Sequence, residues 1–372
     1  PFDKSLVYSY YDHASDSIHI DWRELRTNQL RHRWRLDHAN VSADHRTWLQ
    51  GFPFLYRYQY RAELLKQGAA HPLPLDGGRV VFRTGHFSPL YCLGPDGHLC
   101  WRNDRGAHHA IERAPDGTIW TCSFDTATSE PGFLNNALLQ VDAQTGETLF
   151  HRSLRAIFQA NPRHDLSWLN ADQADQYHLN DVQPVPGDSP YWQRGDLFLS
   201  LRNINTVLLY RPRTNRILWR SLVMGTRQHD VNVVNDSVIS IFDNRFSPRA
   251  RAPAGFVGEE PRSGFVTYHF GQDAYNEAFA KPFARYDISS GTRGRARWFE
   301  GDSVLFAEST DDGYILLSNR RTGQRVRLGQ PSFVAGKLAP ISWVRVMDEQ
   351  PPKSPKDRPE RQSTGSAQAA PF

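Results

Sequence analysis

Three stretches of this chain begin alike, and each begins on a side chain that can do chemistry. His109-Ala110-Ile111 leads through Pro115-Asp116-Gly117 to TIWTCSF, Asn180-Asp181-Val182 leads through Pro186-Gly187 to DLFLSLR, and His229-Asp230-Val231 leads through Asn235-Asp236 to SVISIFD. In each, a polar residue opens an apolar strand, a turn follows, and a second strand returns. His178 precedes Asn180 by two residues, which on a strand puts both side chains on one face. Arg202 closes the second strand of its repeat in LFLSLRN and, aligned on the following Asn, matches Asp243 in VISIFDN. Three imidazoles, a guanidinium and an amide suit the transfer of an anionic tetrahedral group. One imidazole attacks sulfur or phosphorus, Arg202 and Asn180 hold the equatorial oxygens, and another imidazole moves the proton of an alcohol or phenol.

Each of these residues has an ordinary structural use when taken singly. A histidine can fill a core, Arg202 can pair between sheets, and Asn180 can cap a turn. The shared repeat phase argues for one site, because independent structural roles do not predict convergence. Zinc would accept three imidazoles and a water, but a guanidinium in contact with it would repel the cation, so no metal is expected. There is no Gly-rich phosphate loop, so no nucleotide and no other cofactor is expected either.

Six hairpins must position these groups. SIHIDW turns through Arg26-Thr27-Asn28 to Trp34, LYCL through Pro95-Asp96-Gly97 to Trp101, and ALLQVD through Gln144-Thr145-Gly146 to Phe150. TVLLYR turns through Arg213-Thr214-Asn215 to Trp219, FARYDI through Ser289-Ser290-Gly291 to Trp298, and YILLSN through Arg321-Thr322-Gly323 to Leu328. Four strands per repeat, at a spacing of about 50 to 70 residues, is the pattern of a propeller blade, which cannot bury both faces without neighbours. The expected fold is therefore all-β, a six-bladed β-propeller of four-stranded antiparallel blades. The blades are expected near residues 15–48, 75–105, 106–155, 175–222, 226–300 and 301–347. The innermost strand of a blade starts at one mouth of the central channel, so His109, Asn180 and His229 should converge there with His178 and Arg202.

One propeller domain over residues 1–348 accounts for the repeats. From Glu349 the chain turns rich in Pro, Ser, Lys and Arg, and a disordered tail is expected over 349–372. A short helix is expected near Tyr60 to Gln67, and an insertion in the fifth blade from Ser247 to Gln272, where long loops often cover a propeller mouth.

Composition narrows the partners. The chain has 372 residues, a formal net charge of +4, and only six lysines among its 44 basic residues. So small and evenly spread a charge excludes a nucleic-acid stripe, while the abundance of arginine, whatever its compositional origin, suits anionic oxygens. No apolar run reaches the roughly 18 residues that a membrane helix needs. The start at Pro1 leaves room for a trimmed targeting or tethering segment. Cys92 and Cys100 flank a hairpin turn where a cross-strand disulfide or two free thiols would both fit.

HHAIERAPDGTIW, YHLNDVQPV with GDLFLSLRNINTVLLYRPRTNRILW, and QHDVNVVNDSVISIFDN resemble the blade signatures of the bacterial arylsulfotransferases, which do not use the nucleotide sulfate donor. The resemblance covers Ala107 to Asn244 well and is faint on either side. It implies a six-bladed propeller working by a ping-pong route, in which an aryl sulfate sulfates a channel histidine that then delivers to a phenol. Carried over, the nucleophile is His229, while His178, Asn180 and Arg202 bind the sulfuryl oxygens. His109 exchanges the phenolic proton, with His108 one register step away. The partners implied are an aryl sulfate donor and a phenolic acceptor, and the implied location is extracytoplasmic, periplasmic or membrane-anchored. The short chain shows no clear N-terminal β-sandwich of the kind some members carry, so their mode of dimerisation does not transfer. A non-catalytic propeller binding module and a quinone-dependent dehydrogenase are the alternatives. The first lacks a reason to keep His229, and the second lacks a vicinal cysteine pair.

Overall fold

The computed structural model describes residues 4–55, 68–170, 174–221, 224–245, 262–301, 303–310, 313–329, 333–334, 337–338 and 344–347. The architecture is all-β, of propeller type, built from antiparallel sheets that follow one another along the chain. Among the described residues four sheets are four-stranded, one is seven-stranded and one is a two-stranded ribbon of Phe333–Val334 and Lys337–Leu338, where six four-stranded blades were expected. The difference lies in one long strand, Leu99–Arg113, which runs unbroken from one hairpin into the next and pairs with different partners along its two halves.

The chain divides into two compact units, one of Pro1–Ala107, Ala143–Glu147 and Pro331–Phe372, the other of His108–Asp142 and Thr148–Gln330. In the first, β1 (Ser5–Asp12), β2 (Ser17–Glu24) and β3 (Leu30–Asp37) form a meander, and the short strand Arg345–Met347 pairs with β1. Helix α1 (His38–Gln50) follows, capped by Asp37, whose carboxylate accepts from the Asn40 N–H at 2.8 Å. This helix occupies what was expected to be the end of the first blade, and the helix expected at Tyr60 to Gln67 lies outside the described residues. Strands β4 (Ala69–Leu75), β5 (Arg79–Thr84), β6 (Ser88–Leu93) and the first half of β7 (Leu99–Arg113) complete the unit. Cys92 faces Trp101 across the hairpin, a register step away from Cys100, and all three cysteines are free thiols.

The second unit carries the site. The second half of β7 pairs with β8 (Ile119–Phe124), followed by β9 (Asn136–Val141), β10 (Thr148–Ser153) and helix α2 (Leu154–Ala160). The next blade is β11 (Leu179–Pro184), β12 (Leu197–Leu201), β13 (Thr206–Arg211) and β14 (Arg216–Ser221). The third is β15 (His229–Val233), β16 (Val238–Asp243), β17 (Gly264–His269) and β18 (Ala274–Ala278), and helix α3 (Ala280–Arg285) leads out of it. The last is β19 (Ala296–Phe299), β20 (Val304–Ser309), β21 (Tyr314–Asn319) and β22 (Arg325–Gly329).

Blade stacking explains the strand sequences. In β12, Leu197, Leu199 and Leu201 pack with Trp120 and Leu138 of the preceding blade, while Phe198 packs with Val231 and Ile241 of the following one. A strand covered on both faces needs apolar residues at successive positions, which is why LFLSL does not alternate with polar residues. Each such fully buried side chain is worth roughly 1.5–3 kcal/mol.

Five of the six expected hairpins are present. FARYDI is not a strand: Pro282 has no N–H to offer a ladder and sits in the first turn of α3, while the buried Phe283 and Ile288 join the core beside β20. The last blade accordingly begins at Ala296 rather than near residue 301. Of the insertion expected over Ser247 to Gln272, Gly264–His269 is the third strand of its blade, and residues 246–261 lie outside the described residues, as does the tail from 349.

Candidate functional site

Three of the four innermost strands of the second unit, β7, β11 and β15, share one irregularity that β19 lacks, and it places the histidines. Pairing slips between His108 and Ile111 in β7, between Leu179 and Asp181 in β11, and between His229 and Asn232 in β15. These are β-bulges, which bend a strand and re-aim its side chains. Directly paired ahead of the bulge are His108, Leu179 and His229, so the positional equivalent of His229 is His108 and not His109. His109 stands instead with Asp230, both left-handed, at φ 53° and 54°. That conformation turns its ring out of the period-two pattern, and it meets His178 edge to face with centroids 4.8 Å apart.

His178 reaches the same place by a different route from the one the strand period implied. It lies just before β11, also left-handed at φ 52°. Asp175 holds it, accepting from the His178 backbone N–H at 3.0 Å and from ring Nδ1 at 2.6 Å. Arg202 follows the last residue of β12, and its backbone N–H donates to the His178 carbonyl at 3.0 Å. The strand return thus brings the two residues together, and the pairing of Leu179 with Leu201 and of His229 with Phe242 confirms Arg202 and Asp243 as equivalents.

The hydrogen bonds fix where protons sit. His229 Nδ1 lies 3.0 Å from the Arg227 carbonyl and 2.7 Å from Asn244 Oδ1. The Asn244 amide nitrogen donates to the carbonyls of Ser290 and Arg293, so its oxygen must face the ring. Both neighbours of Nδ1 are acceptors, so Nδ1 carries the hydrogen and, in the neutral ring, Nε2 carries the lone pair. Burial first, and the charge of Arg202 second, hold the His229 pKa down at about 3, so the ring is neutral at ordinary pH.

A second relay fixes His109. His108 Nε2 lies 2.8 Å from the Ser123 carbonyl and must donate to it, which leaves His108 Nδ1 as the acceptor for His109 Nδ1–H at 2.8 Å. The neutral His109 ring therefore also presents an unprotonated Nε2.

Asp175 and Arg202 supply the local charge. Burial works to raise the Asp175 pKa, but the His178 imidazole and the hydrogen bonds from His178 and Asn136 bring it down to about 2. Burial, and then the neighbouring Arg227, lower Arg202 to about 10, which leaves it charged. Asn180 is fully buried, and its Nδ2 donates to the Gln228 carbonyl at 2.7 Å, tying β11 to the residue before His229. Its Oδ1 has no hydrogen-bond partner among the described residues.

Sequence reasoning missed Asp175, Asn203, Arg227 and Asn244. The Asn that follows Arg202 and Asp243 served only to align those two strands, yet it is the residue whose amide reaches the site in both repeats. Among the described residues, no three His, Cys, Asp or Glu side chains are gathered so as to hold a metal ion.

Antiparallel blades that gather buried histidines beside an arginine define a propeller-type protein with a histidine cluster at one end of successive blades. The chain belongs to the arylsulfotransferase family: the family model described as Arylsulfotransferase (ASST) matches residues 71–321. Among curated proteins none matches the chain. Of solved structures, a protein of unknown function from Bacteroides caccae aligns at TM-score 0.52 and 10% identity, over 93% of this chain and 100% of its own. The periplasmic gluconolactonase PpgL of Pseudomonas aeruginosa aligns at TM-score 0.45 and 11% identity over 94% and 99%. Virginiamycin B lyase from Staphylococcus aureus aligns at 0.41 and 12% over 73% and 72%. At such identities the first likeness concerns the fold alone.

Proposed function

We propose that this chain is a nucleotide-independent aryl-sulfate sulfotransferase working by a ping-pong route through a sulfuryl group carried on His229. The observation that carries the reading is the pair of acceptors on His229 Nδ1, which leaves the lone pair on Nε2 of a ring kept neutral by its surroundings.

In the first half-reaction Nε2 attacks sulfur, the bond from sulfur to the aryl oxygen breaks, and the departing oxygen takes a proton from His109 in its imidazolium form. In the second, an acceptor phenol returns a proton to His109 Nε2, its oxygen attacks sulfur, and the N–S bond breaks to restore His229. Arg202 and His178 hold the sulfuryl oxygens, and Asn180 adds its second amide hydrogen. The positive charge of Arg202 opposes protonation of His229 and attracts the sulfate ester, so one group serves both steps. The four blades of the second unit, counting the later half of β7 with β8 to β10, support reading the chain as the six-bladed propeller that the family resemblance implies. An extracytoplasmic location belongs to the same reading.

The test is direct. Incubation with 4-nitrophenyl sulfate and a phenol should release nitrophenol, intact mass should show a sulfuryl adduct on the His229 peptide when acceptor is withheld, and His229→Ala should lose both. Equal turnover by wild type and variant would refute the assignment.

A further inference from the structure

Arg227 stands two residues before His229 in a backbone conformation that an arginine rarely takes, φ 60°. Such an outlier persists only where its surroundings hold it, and it points to function rather than to stability. Three contacts hold this one: the Arg227 N–H donates to Asn205 Oδ1 at 2.8 Å, the Thr226 N–H donates to Asp243 Oδ1 at 2.7 Å, and the Arg227 carbonyl accepts from His229.

The side chain goes to the place where Arg202 already is. Arg227 Nη1 lies 2.5 Å from Asn203 Oδ1, and Arg202 Nη1 lies 3.1 Å from the same oxygen. Asn203 cannot turn its amide over, because its Nδ2 donates to the Asp175 carbonyl at 2.6 Å. One neutral oxygen thus gathers two guanidinium groups, and no carboxylate of the described residues forms an ion pair with either. Asp175 is the acidic group near Arg202, and it is committed to His178. Two like charges held together beside a nucleophile, with most of their N–H groups unspent on Asn203, make a fork for an oxyanion.

We propose that Arg227 is a second anion-binding residue, closing with Arg202 on the oxygens of the group presented to His229. This rests on the reading of the site as a sulfuryl-transfer centre and deepens it. The site binds a tetrahedral oxyanion through two guanidinium groups from successive blades, and free inorganic sulfate competes for it.

The experiment measures sulfate affinity of the full chain by calorimetry and by inhibition of 4-nitrophenyl sulfate turnover, for wild type, Arg227→Gln and Arg227→Lys. Losing one charge-assisted contact should weaken sulfate by about tenfold or more in the Gln variant, with partial recovery in Lys. KM for the sulfate ester should rise more than kcat falls. Without sulfate the Gln variant should melt no lower than wild type, since it relieves a like-charge contact while keeping the same backbone conformation; a merely structural arginine would give a lower midpoint. Sulfate binding unchanged in Arg227→Gln, or no sulfate binding by wild type, would overturn the proposal. Arg227-dependent sulfate binding without any turnover would instead leave this inference standing and remove the proposed reaction.

Discussion

Asn244 Oδ1 lies 2.7 Å from His229 Nδ1, and the amide that presents it is locked by two backbone carbonyls on its nitrogen side. The tautomer of the proposed nucleophile is thus set by a residue 15 positions away on the returning strand.

Removing that acceptor should cost turnover without moving the ring's neighbours. Asn244→Ala leaves only the Arg227 carbonyl on Nδ1 and frees the ring to rotate or change tautomer, so kcat should fall by about 10- to 100-fold. The nitrogen-15 shifts of the His229 ring should report mixed tautomers. Asn244→Asp, which puts a negative charge beside Nδ1–H, should raise the His229 pKa and bring an acid limb into the pH–rate profile at higher pH than in wild type. Unchanged ring shifts in Asn244→Ala would contradict the assignment.

His229 makes the fold sensitive to acid. Its pKa is about 3 in the folded chain and 6.5 when unperturbed, so between those values the unfolded chain binds the extra proton. Stability must therefore decline as pH falls from 6.5 toward 3, and this contribution is on the order of a few kcal/mol. In urea titrations at pH 7 and pH 4.5, His229→Gln should lose less stability on acidification than wild type.

His109 should matter in proportion to the basicity of the leaving oxygen. Since 4-nitrophenolate departs readily without a proton, His109→Gln should slow 4-nitrophenyl sulfate by about tenfold or less, and phenyl sulfate by about 100-fold or more. Equal effects on both esters, measured as kcat/KM, would remove His109 from the proton path.

Beside the site, Arg295 is buried among three acids: its Nε donates to Asp230 at 2.7 Å, Glu112 lies 3.7 Å from its Nη2, and Asp181 is near. Burial, and the neighbouring Asp230 and Glu112 charges, push the Asp181 carboxyl well above the usual range. Arg295→Met should destabilise the chain by about 3–5 kcal/mol in urea unfolding, because it leaves buried carboxylates with no counter-charge. The loss should shrink on acidification as the Asp181 carboxyl, whose pKa burial already raises, takes up a proton.

Much of this was legible in the residues. The turn chemistry of Arg213-Thr214-Asn215 and Arg321-Thr322-Gly323 and the apolar runs around them specify hairpins locally, and these are where expected. The equivalence of Arg202 and Asp243 was readable because repeats preserve phase. FARYDI misled because apolar spacing in a short segment serves a helix and a strand equally well, and only the lack of an N–H at Pro282 separates them.

What the sequence by itself determined is which side chains exist at repeat starts, and hence that imidazoles and a guanidinium gather at one end of successive blades. Tertiary structure alone decided which ring nitrogen carries each proton, that His108 rather than His109 is the counterpart of His229, and that Arg227 joins Arg202. A bulge shifts facing by one residue with no change in the strand pattern. A histidine's tautomer depends on acceptors such as Asn244 Oδ1 and the Ser123 carbonyl, which meet the ring only when the returning strand has paired.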